Sequence, residues 1–146
     1  IHELVDGLFP TQLQAVKELM HKAKSAFAAD LVFTHYRRDL HQDHRIVGEA
    51  TWQTFRDHMI LEYEIPKYDG DLGSPNAFVS LRSDTCERKT SYILEHYASQ
   101  RGRSWFSEET FRAILRLRGI EASSRSGYAE GFYARKLSLS LGNGGQ

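Results

Sequence analysis

Apolar residues recur along the chain in two rhythms. Leu13, Val16, Met20, Ala23 and Phe27 fall three or four apart with lysine and glutamate between them, which predicts an amphipathic helix over 11–27 with Thr11 as its N-cap. Leu31-Val32-Phe33-Thr34 is a short unbroken run of the kind found in buried parallel strands. Helical spacing returns at 44–59, through Val47, Ala50 or Thr51, Thr54, Phe55 and Met59. A second strand is predicted at 61–65 (LEYEI) and a short edge strand at 77–81 (AFVSL). Between them, residues 66–76 carry two prolines, two glycines and two aspartates, the mark of a long loop. Asp84 and Glu87 are spaced as a capping box for a helix through Tyr97, with Cys86, Thr90, Ile93, Leu94 and Tyr97 inward. Ser107 is placed to cap a last helix, EETFRAILRLR, which Gly119 is expected to end. GFYARKLSLSL, 131–141, alternates as a strand does. The succession helix, strand, polar loop, helix, strand implies an α/β fold: an open sheet with crossover helices.

Composition narrows this picture. The chain has 146 residues, 40% apolar and 26% charged, which suits one soluble domain with a real core, assigned to residues 1–141 with a flexible glycine-rich tail at 142–146. Nineteen basic side chains balance nineteen acidic ones, so neither nucleic acid nor an anionic membrane is an expected partner. No apolar run reaches the roughly 20 residues of a membrane span. Cys86 is the single cysteine, which fits a reducing cytoplasm. The chain begins at Ile1 within IHELVDGLFP, which reads as mid-chain sequence and suggests a segment upstream.

The candidate chemistry gathers in THYRRDLHQDHR, residues 34–45, with three histidines and two aspartates directly after the first strand. In open α/β sheets ligands sit beyond the carboxyl ends of the strands, where this loop lies. His41, Asp43 and His44 form H-x-D-H at the start of the next helix. Imidazole and carboxylate in such a pattern can hold zinc or serve as acid and base; a solvated polar loop is the alternative. His35 is read as structural, His58 as a group on a helix C-terminus, and His2 and His21 as surface residues.

DLVFTHYRRDLHQDHR, ILEYEIPKYDGDLG, HYASQ and GYAEGFYARKL together resemble the LmbE-like (PIG-L) deacetylases, over about Asp6 to Leu139. The resemblance implies a Rossmann-like, mainly parallel sheet flanked by helices. It also implies zinc-dependent removal of acetyl groups from N-acetylated amino sugars or glycoconjugates. In that family a histidine and an aspartate of an H-P-D-D motif share the metal with a histidine matching His44. The residue matching His41 stabilises the tetrahedral oxyanion, and that matching Asp43 orients an imidazole. His96, Ser99 and Gln100 match a supporting H-x-x-S-Q motif. No H-P-D-D occurs in this sequence, so the resemblance is to the C-terminal part of such an enzyme, its sheet incomplete and the chain inactive on its own.

Other features divide between chemistry and structure. Tyr68 can stack on a sugar while Asp69 and Asp71 accept hydroxyl hydrogen bonds, or the loop is a connector whose aspartates cap amides. Trp52 is read as core. Trp105-Phe106 forms either a hydrophobic staple or an exposed aromatic patch. The arginines of RAILRLRG are read as a solvated face. The non-catalytic alternative is a truncated module that pairs with another chain, a homo-oligomer or a complementing partner, through an unpaired sheet edge.

Overall fold

The computed structural model describes residues 4–137. A 3-10 turn at Phe9–Gln12 runs into helix α1, Leu13–Ala26. Strand β1, Leu31–His35, is followed by helix α2, Gln42–Thr54, and strand β2, Met59–Tyr63. Strand β3, Ala77–Ser80, helix α3, Ser83–His96, helix α4, Glu108–Glu121, and strand β4, Ala129–Tyr133, complete the order. No helix of the described residues is long and apolar enough to cross a membrane.

The sheet order is β1-β2-β4-β3. β1 and β2 are parallel, with Leu31 opposite Met59 and His35 opposite Tyr63. β4 runs antiparallel to both β2 and β3, so the sheet is mixed rather than mainly parallel. The reason is connectivity: only α2 links two neighbouring strands as a crossover, whereas β4 enters between β2 and β3 from the opposite end.

α2 packs on β1 by two means. The hydroxyls of Thr34 and Thr51 meet at 2.9 Å in the interior. Gly48 lies so close to β1 that a Cβ there would stand 2.9 Å from the His35 carbonyl oxygen. α1 rests against α2, with Val16 at its buried centre and Lys24 reaching the Thr54 carbonyl.

Several boundaries differ from the sequence reading. Thr11 lies inside the 3-10 turn and donates to the Leu8 carbonyl instead of capping α1. α2 ends at Thr54, so Met59 opens β2 instead of continuing a helical stripe, and His58 sits in the intervening turn against Asp57. Asp84 pairs with Arg82 and makes no cap, and Tyr97 is exposed rather than inward. Ser107 does cap α4, accepting from the Thr110 amide, but the helix passes through Gly119. β4 ends at Tyr133, four residues short of Leu137; the rest of the expected strand lies outside the described residues.

The arginine run is not a solvated face throughout. Arg118 is 3% exposed and lies in the core of a polar cluster. Its guanidinium meets Glu64 Oε1 and Oε2, both carboxylate oxygens of Glu121, and the Gly73 carbonyl. These contacts fasten Glu64, just before the 66–76 loop, and Gly73 within it to α4.

Candidate functional site

The loop that leaves β1 folds around Asp39. Its Oδ1 accepts from the His41 amide two residues on, at 2.7 Å, the pattern of an Asx turn. Its Oδ2 lies 2.9 Å from His44 Nδ1 and 3.1 Å from Lys67 Nζ. Asp39 is 3% exposed. Burial pushes its carboxyl up, but hydrogen bonds from His44, the His41 amide and Lys67 outweigh that and hold it at about 2. Asp39 is therefore a carboxylate throughout the neutral range. As acceptor it fixes a proton on His44 Nδ1 and leaves Nε2 with a free lone pair in the neutral ring.

His41 is the N-cap of α2, and its Nδ1 accepts from the Asp43 amide at 3.3 Å. That acceptance places the neutral ring's proton on Nε2. The His41 and His44 rings stand 4.5 Å apart, centroid to centroid. One offers a proton and the other a lone pair, side by side beyond the end of a strand. Behind them His35 stacks on His44 at 4.1 Å with the planes 9° from parallel. Burial first, and then the neighbouring His44, lower the His35 imidazole to about 4, so it is neutral at pH 7. Tyr63 packs against it, tilted, at 4.9 Å. Burial pushes the Tyr63 hydroxyl up to about 12, with Tyr97 and Asp39 adding to the effect.

The other sequence-selected residues fall in three places. Asp43 is 4% exposed, and its carboxylate accepts from the Gly7 and Phe9 amides, 2.5 and 3.1 Å away. It ties the segment before α1 to the first turn of α2, and the carboxylate on an imidazole is Asp39. Asp71 accepts from the Leu40 amide at 2.7 Å and pairs with Lys67 at 2.5 Å, so it anchors the loop. Tyr68 and Asp69 stand exposed just beyond. His96 closes α3 at the surface, and Gln100 contacts only Ser99 among the described side-chain hydrogen bonds. Asp39 and Lys67 were missed in the sequence; the signal for Asp39 was an aspartate two residues before a helix-opening histidine.

Three solved structures share this architecture. The conserved protein TT1542 from Thermus thermophilus superposes with a TM-score of 0.67 at 18% identity, covering 94% of this chain and 65% of that one. The zinc-inhibited form of teicoplanin deacetylase Orf2 gives 0.62 at 18% identity, over 91% and 55%. N,N'-diacetylchitobiose deacetylase from Pyrococcus horikoshii, complexed with its inhibitor MPG, gives 0.61 at 21% identity, over 89% and 54%. The chain has the fold of these proteins. It spans between 54% and 65% of their lengths. No protein-family model matches it, and no curated protein does.

The zinc expected from the resemblance does not fit this donor set. Among the described residues no three His, Cys, Asp or Glu side chains are placed to hold a metal ion. The geometry gives the reason. The Asp43 oxygens are taken by backbone amides, Asp39 by His44 and Lys67, and His41 Nδ1 by the Asp43 amide. His35 Nδ1 is buried behind His44 without a partner. A zinc site needs three or four converging donors.

Proposed function

We propose that this chain carries the β1-end portion of a hydrolase centre that removes acetyl groups from N-acetylated amino sugars or glycoconjugates. The observation that carries the reading is the Asp39–His44 pair with His41 beside it, 2.9 Å and 4.5 Å away respectively, at the carboxyl end of β1. The deacetylase fold supports it.

The roles follow from the hydrogen-bond pattern. His44 Nε2 accepts the proton of an attacking water while Asp39 steadies the imidazolium that forms. His41 donates from Nε2 to the acetamide oxygen as it becomes an oxyanion. Collapse of the tetrahedral species breaks the C–N bond, and the proton on His44 passes to the departing amine, giving acetate and a free amino sugar. Asp43 anchors the first turn of α2, whose N-cap is His41. Tyr68 and Asp69 are the loop residues free to face a sugar, with Asp71 holding the loop in place.

Recognition of the acetamide is testable on the chain itself. N-acetylglucosamine is expected to perturb the imidazole NMR signals of His41 and His44, and glucosamine is not. Equal response to both sugars, or to neither, would overturn the reading. His41→Gln is expected to lower turnover by about 10²-fold, the scale for one oxyanion donor.

A second reading is favoured by β1. This strand pairs on one side only among the described residues, and Leu31, Phe33 and Met59 are exposed on one face of the β1–β2 ladder. An open apolar edge of this kind recruits a strand from another chain, a second copy included. Sedimentation of the wild type against Phe33→Lys tests it: an oligomer that Phe33→Lys dissociates supports this use of the edge.

A further inference from the structure

We propose that Tyr68 and Trp105 form a second sugar-binding platform beside the Asp39–His44 pair, so that the site takes an oligosaccharide and not a single sugar. The proposal rests on the deacetylase reading for the nature of its ligand, and adds Trp105 and Arg103 to the Tyr68 and Asp69 of that reading. Tyr68 is 66% exposed, yet it is held in place. Its hydroxyl accepts from the Ser104 amide at 3.2 Å and lies 3.1 Å from Ser104 Oγ. With the hydroxyl engaged, what remains for a ligand is the ring itself.

Tyr68 meets Trp105 edge to face at 6.4 Å. Trp105 meets Phe106 at 5.6 Å, and Phe106 meets Phe111 at 5.5 Å, each close to perpendicular. Phe111 is buried on α4. An aromatic ladder thus runs from the core to an exposed ring. Packing alone gives no reason to immobilise an exposed ring, which loses rotamer freedom without removing its surface from water. A rigid aromatic face does suit the axial C–H groups of a pyranose, and rigid aromatics bind at low entropic cost.

The placement also fits. Lys67, the residue before Tyr68, reaches Asp39 Oδ2, the oxygen that holds His44. Tyr68 thus follows directly on the residue whose side chain reaches the carboxylate that holds His44. Asp69 and Arg103, both exposed, flank it in the two loops and offer an acceptor and a donor for sugar hydroxyls.

The test compares N-acetylglucosamine with triacetylchitotriose on the wild type, Trp105→Ala and Tyr68→Ala, read by NMR titration. The trimer is expected to bind the wild type about tenfold more tightly than the monomer, as one stacked ring would give. Each variant is expected to lose that gain, and Trp105→Ala, outside the residues assigned to the single-sugar site, to keep the monomer affinity. Tyr68→Phe, which retains the ring, guards against a variant that fails to fold: its gain is expected to survive in part. Equal affinity of the wild type for both sugars, or a gain unchanged in the alanine variants, overturns the platform and leaves the deacetylase reading standing. Absence of binding by either sugar overturns both.

Discussion

The imidazoles of His35 and His44 lie face to face, their centroids 4.1 Å apart. His35 contributes the last residue of β1, and its Nδ1 is buried without a hydrogen-bond partner. Stacking of this kind is tolerable only if the pair does not carry two positive charges. The lowering of His35 to about 4 meets that condition.

Acid stability follows directly. An unfolded histidine titrates near 6.5, while folded His35 titrates near 4, so between these values the unfolded chain binds more protons. Stability is complete above about pH 6.5 and is lost as pH falls towards 4. The loss between pH 7 and pH 5 is expected to be about 2 kcal/mol from this residue. Below that, Asp39 extends the decline from about 4 towards 2, because its folded carboxyl is held down. Urea midpoints at pH 7 and pH 5 check this, and His35→Phe is expected to flatten the difference.

Asp39 and Asp43 can be separated by one substitution each. Asp39→Asn removes the carboxylate on His44 and half of the anionic surroundings of Lys67. It is expected to cost about 1–3 kcal/mol and to disturb the His44 tautomer, seen in long-range ¹⁵N–¹H spectra. Asp43→Asn weakens the hold on the Gly7 and Phe9 amides and is expected to cost a similar amount while leaving the His44 tautomer unchanged. A tautomer that responds to Asp43→Asn and not to Asp39→Asn would reverse the two roles.

Much of this was legible in the sequence where a single pattern decided the outcome. The periodicity of α1 and the apolar run of β1 identified their elements, and Ser107 marked the start of α4 through its cap. The loop after β1 stood out because position at a strand end and residue type pointed the same way. What the pattern did not carry was partnership between distant residues. Asp39 and Asp43 are both aspartates in one polar loop, and only the approach of Gly7, Phe9 and Lys67 gives them different tasks. Strand direction was likewise hidden: β4 alternates as any strand does, and its antiparallel entry depends on where α4 delivers the chain. Arg118 looked like its exposed neighbour Arg116 until Glu64, 54 positions away, met it.

Arg118 and Glu64 are therefore a stability test of the site's foundation. Both side chains are nearly inaccessible, at 3% and 5% exposure, and they pair at 2.5 Å. Arg118→Met leaves Glu64 buried without its cation and is expected to cost about 3–5 kcal/mol. Adding Glu64→Gln to that variant removes the stranded charge and is expected to restore a large part of the loss. Thermal denaturation of the two variants measures the difference; an unimproved double variant would mean that the guanidinium's bond to the Gly73 carbonyl, rather than charge pairing, is the main support.

Gly119 tests why α4 can lie where it does. A Cβ at this position would stand 2.6 Å from the Tyr128 Cα and closer still to the Gly127 carbonyl. All of these atoms are backbone, so no rotamer change relieves the clash, and α4 would have to lift away from the start of β4. Gly119→Ala is expected to destabilise the protein by about 2–3 kcal/mol even though alanine is the better helix former. Two comparisons isolate the cause. Ile120→Ala, one residue on but 62% exposed, is expected to change stability by no more than about 0.5 kcal/mol. Gly70→Ala, where φ is +64° and nothing lies within 4 Å, adds backbone strain without contact and is expected to cost about 1 kcal/mol. If Gly119→Ala proves no worse than Gly70→Ala in urea denaturation, the close approach of α4 to β4 is not what the glycine serves.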